Sequence, residues 1–112
     1  MRGQVAGWFF SVVRGATPQE TWASRETLDE GLDIIKALLR DWTALASAGD
    51  RAPLLALDYA SELRELPKAP TESSLSMLAK LDDAQRLART NVSPAMVSEL
   101  VRMALTGSAS RA

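Results

Sequence analysis

The chain has 112 residues, a formal net charge of −1, 46% hydrophobic and 24% charged residues, and neither cysteine nor histidine. Disulfides, thiol chemistry, cysteine- or histidine-bound structural zinc, histidine-based triads and imidazole proton relays are thereby excluded. A chain of this length forms one domain and buries roughly two-thirds of its unfolded surface, while its near-neutral charge offers no general electrostatic attraction to nucleic acid or an anionic membrane.

The opening "MRGQVAGWFFSVVRG" is too short in its apolar part to span a bilayer, which takes about 20 residues. A single Arg2 precedes it and no Ala-x-Ala-like cleavage site follows, so a signal peptide is not expected. It reads as a short helix over 5–14, packed through Trp8, Phe9 and Val12. So abrupt an aromatic start suggests a piece of a longer protein.

The main bundle is expected over 17–106. Thr17-Pro18-Gln19-Glu20 has the form of a helix start, with a capping threonine, proline at the first helical position and glutamate closing a capping box. Leu28, Leu32, Ile35, Leu39, Trp42 and Ala46 then recur at spacings of 4, 3, 4, 3 and 4, one apolar stripe. Asp29, Asp33, Lys36 and Arg40 take a polar face. A break near Ser24-Arg25 would make two helices of this segment. Gly31 weakens it by up to about 1 kcal/mol relative to alanine, and Gly49 ends it.

Leu54 to Leu66 predicts a third helix with Ala56, Tyr59, Ala60, Leu63 and Leu66 on one side. "LPKAPTESS" is a loop, in which Thr71 or Ser73 would cap a fourth helix running to about Arg89. That helix turns Met77, Leu78, Leu81, Ala84 and Ala88 inward. Asn91 and Val92 turn the chain, Ser93 caps and Pro94 starts the last helix, and 107–112 form a fraying tail. No alternating run suggests a strand. The expected fold is all-α, a single compact bundle of about five helices joined by mostly short connections.

Candidate chemistry is sparse. Asp29, Glu30 and Asp33 lie within one helical turn, and Asp29 and Asp33 share a face, which could hold Mg²⁺ through waters; a solvated helix face is the preferred reading, because Mg²⁺ usually also takes substrate phosphates. Asp82 and Asp83 are neighbours that diverge on a helix. Arg86, Arg89 and Arg102 would cluster if the last two helices run antiparallel, but pairing with Asp83 or Glu99 explains them more simply. Trp42 belongs to the inward stripe. Trp22 falls outside it and is an interface candidate, as are Met96, Leu100 and Met103. The final helix carries Met96, Val97, Leu100, Val101, Met103, Ala104 and Leu105, so it needs cover on more than one side.

Three stretches, "LLRDW" (Leu38–Trp42), "LDYASELREL" (Leu57–Leu66) and "LDDAQRLARTNVSPAMVSELVRMAL" (Leu81–Leu105), resemble in order and spacing the C-terminal part of the delta-prime subunit of bacterial DNA polymerase III. The likeness extends over Thr17 to Leu105; the related gamma/tau subunit has a similar domain. The family's Asn-Val-Asn-Pro turn stands here as Asn91-Val92-Ser93-Pro94, with serine replacing one good cap by another. The resemblance implies a collar domain of the clamp loader, the pentamer that places the sliding clamp on primed DNA. On this reading the domain holds cytoplasmic subunits together through contacts with gamma/tau and delta. It has no catalytic, metal or cofactor residue of its own, and no direct contact with nucleic acid or membrane. Asn91, Ser93 and Pro94 would be structural turn residues. Two other readings stay open: an unrelated helical interaction module, and a small Mg²⁺-dependent helical enzyme using Asp29, Glu30 and Asp33.

Overall fold

The first helix, α1 (Arg2–Val13), is apolar almost all round. It buries Val5, Ala6, Trp8, Phe9, Phe10 and Val12. Its end is set by Gly15, whose φ of +91° suits a residue without a Cβ. There Ala16 N–H reaches back to the Ser11 carbonyl at 2.9 Å and Gly15 N–H to Val12 at 3.0 Å. The computed structural model describes residues 2–16, 22–51, 53–67 and 74–107. The expected Thr17–Glu20 capping box and the caps at Thr71 and Ser73 fall outside those residues.

The long helix α2 (Leu28–Ala48) starts later than the Thr17 signal predicts. Residues 22–24 are not helical, and Ser24 and Thr27 close a small hydrogen-bonded box instead. Ser24 N–H donates to Thr27 Oγ1 at 3.2 Å, Thr27 N–H to Ser24 Oγ at 3.3 Å, and Thr27 Oγ1 to the Trp22 carbonyl at 2.8 Å. Hydroxyls that capture local backbone groups in this way favour a helix start over a helix interior. The break expected near Ser24-Arg25 is therefore where the chain enters α2.

The predicted third helix is also shorter. Residues 53–56 are irregular; a 3-10 turn covers Leu57–Tyr59 and α3 only Ala60–Glu65. The cause lies in α2. Asp41 accepts Leu55 N–H at 2.8 Å and Ala56 N–H at 2.7 Å, which fixes the approach before the helix can begin. Leu66 leaves α3 in extended backbone (φ −70°, ψ 154°), the conformation that the following Pro67 enforces.

Helices α4 (Ser74–Ala88) and α5 (Pro94–Gly107) pack together across a short connection. Among the described residues there are five α-helices and no strand. The fold is an all-α bundle whose radius of gyration, 13.2 Å, is that of a compact domain of about this length. Helix α2 packs on α1, α3 and α4, and α5 packs on both α4 and α1. Four helices thus close a cycle, α1–α2–α4–α5, around Phe9, Leu32, Ile35, Leu39, Leu81 and Val101, all buried. Aromatic pairs tie α1 to its surroundings: Phe9 meets Trp42 of α2 edge-on at 6.2 Å, Trp8 meets Trp22 edge-on at 5.8 Å, and Phe10 meets Tyr59 at a tilt at 6.0 Å.

Candidate interaction surface

The turn before α5 is built by its sequence. Ser93 Oγ accepts Met96 N–H at 3.2 Å and the Ser93 carbonyl accepts Val97 N–H at 3.1 Å, an N-cap with Pro94 at the first helical position. Thr90 Oγ1 donates to the Leu87 carbonyl and accepts Val92 N–H, which ends α4 one step earlier. Asn91 is exposed in this turn.

This start fixes the rotation of α5. Val97, Ser98, Val101, Ala104 and Leu105 turn inward and are buried. Met96, Leu100 and Met103, spaced i, i+4, i+7 on another face, are 58%, 37% and 53% exposed. The chain covers one side of its last helix and leaves an apolar stripe on another. Glu99 and Arg102 flank the stripe as a hydrogen-bonded ion pair. The Arg102 guanidinium holds the Glu99 carboxyl below its ordinary value, chiefly through that hydrogen bond, and Glu99 in turn raises Arg102. Fully burying a methionine or leucine is worth about 1.5–3 kcal/mol. Covering these half-exposed side chains would contribute a few kcal/mol, less than the roughly 4–15 kcal/mol of translational and rotational freedom lost on association. The stripe can add to an interface and is too small to hold one alone.

Trp22 takes no part in such a surface. It is 4% exposed, inside the fold against Trp8 and over Gly31. Its exclusion from the α2 stripe reflects its place before the helix, from which the irregular residues 22–24 fold the ring back onto the core. Its Nε1–H is buried without a hydrogen-bond partner among the described residues. Trp42 is buried, and its Nε1–H donates to the Pro67 carbonyl at 2.8 Å.

Asp29 and Asp33 serve an interhelical network. The buried Gln85 of α4 donates from Nε2 to Asp33 Oδ1 at 2.8 Å and Asp29 Oδ1 at 3.1 Å, while its Oε1 accepts from Lys36 Nζ at 2.7 Å. Lys36 also pairs with Asp82 at 2.8 Å, and its hydrogen bond is the main reason that the Asp82 carboxyl lies below its ordinary value. Glu30 is exposed. Among the described residues no group of three or more histidine, cysteine, aspartate or glutamate side chains is placed to hold a metal ion. Each of the three arginines has an acidic partner: Arg86 pairs with Asp83, Arg102 with Glu99 and Arg89 with Asp29.

Comparison with known protein families, characterised proteins and solved structures gives no match to this chain.

Two features went unread in the sequence. One is Asp41, a buried carboxylate of α2; it directly follows Arg40 and falls off the Leu28–Ala46 stripe, so periodicity carries no signal for it. The other is a pair of strongly exposed leucines, Leu55 and Leu57, on either side of buried Ala56. They stand outward because Asp41 pins the intervening backbone. No described helix is long and apolar enough to cross a membrane.

Proposed function

We propose that this chain is the collar domain of a bacterial replicative clamp loader, of the delta-prime type, which joins its parent subunit to gamma/tau and delta by helix–helix contacts in the cytoplasm. It does so without catalysis, cofactor or direct contact with DNA. The observation that carries this reading is where the stretches resembling the family fall in the fold. Asp41 and Trp42 of "LLRDW" hold the "LDYASELREL" segment, one at its entry through Leu55 and Ala56, the other at its exit through Pro67. The Asn91–Pro94 turn sets α5 so that Met96, Leu100 and Met103 point outward. The resemblance thus lies in residues that shape the bundle and orient its uncovered face.

The reading as an unrelated helical adaptor uses the same stripe and differs only in what covers it. The magnesium-enzyme reading is disfavoured because Asp29 and Asp33 already accept hydrogen bonds from Gln85. The test is a binding experiment with the purified chain and the gamma/tau and delta subunits of its own organism, alongside the Met96→Glu/Leu100→Glu variant. Binding by the parent chain that the variant loses supports the collar. A chain that is folded by circular dichroism and binds neither subunit at tens of micromolar (about the range of weak interfaces) moves the adaptor reading to first place.

A further inference from the structure

We draw no further inference here: the strongest candidate, the outward stripe of Met96, Leu100 and Met103 on α5, belongs to the surface already described, and nothing in the structure shows what covers it.

Discussion

A Cβ built on Gly31 would stand 2.5 Å from two ring carbons of Trp22. The glycine that looks like a flaw in α2 is the space into which an indole fits. Gly31→Ala gains up to about 1 kcal/mol of helix propensity but forces a buried ring to move, and overpacking of this kind costs about 1–3 kcal/mol. The variant should melt below the parent chain, with altered tryptophan fluorescence. A higher melting temperature would show that the ring yields freely.

Asp41→Ala should be among the most damaging polar substitutions. It leaves the N–H groups of Leu55 and Ala56 without their carboxylate, the second of these in a buried setting, at a cost of about 3 kcal/mol. Hydrogen exchange separates this from general loosening. The Leu55 and Ala56 amides should lose protection under conditions where the α4 amides keep theirs. Uniform loss across all helices would remove the local role assigned to Asp41.

Gln85→Leu should cost less, about 1 kcal/mol, although four hydrogen bonds are lost. Asp29 and Asp33 are exposed and regain water, and Lys36 keeps Asp82. Millimolar Mg²⁺ should leave the melting temperature of the parent chain unchanged. A rise that Asp29→Asn plus Asp33→Asn abolishes would restore the metal-dependent reading.

On α5 the two apolar faces should respond in opposite ways. Met96→Gln, Leu100→Gln and Met103→Gln should each shift stability by about 0.5 kcal/mol or less while weakening partner binding. Val97→Ala and Val101→Ala remove fully buried side-chain volume and should cost about 1–3 kcal/mol. Chemical denaturation and a binding assay, run on all five variants, distinguish the faces.

Below about pH 8, stability against pH should follow the carboxylates, since no histidine titrates between pH 5 and 8. Glu99 and Asp82 are held below their ordinary values of 4.5 and 3.8, so the folded chain binds protons less readily than the unfolded one. Their contribution is complete above about pH 5 and is lost as pH falls through the lowered values. Both groups are exposed, so the effect is small and shrinks in salt. Glu99→Gln should flatten part of the acid limb; an unchanged acid limb would mean that the pair with Arg102 adds nothing.

Periodicity located the helices because the core is built from regular stripes: Leu28 to Trp42, and Met77, Leu81 and Ala84. It could not locate the joints, where single side chains override it. Ser24 and Thr27 draw local backbone into their own hydrogen bonds and delay α2. Asp41 acts across 14 and 15 residues of sequence, a distance at which no local pattern reports. Phase is silent on Trp22 for the same reason: a phase argument assumes a helix, and the residue precedes one. The stripe of Met96, Leu100 and Met103 was legible as an apolar face, but its exposure was not, because a central helix covered on both sides carries the same pattern. What lies against that side is a property of another surface and leaves no trace in this chain's periodicity.

The contact of α5 with α1 also shapes how the chain must be assembled. The α4–α5 pair and its turn are near neighbours in sequence and can form early, as local contacts do. Helix α1, with Phe9 and Val12 destined for full burial, leaves the ribosome before the other described helices, yet one of its neighbours, α5, is the last of them. Until Val97 and Val101 arrive, it must shelter its aromatic residues against α2 alone or leave them in water, where they invite association with other chains. The closed cycle that gives the finished domain its seal is therefore also its point of greatest exposure during synthesis.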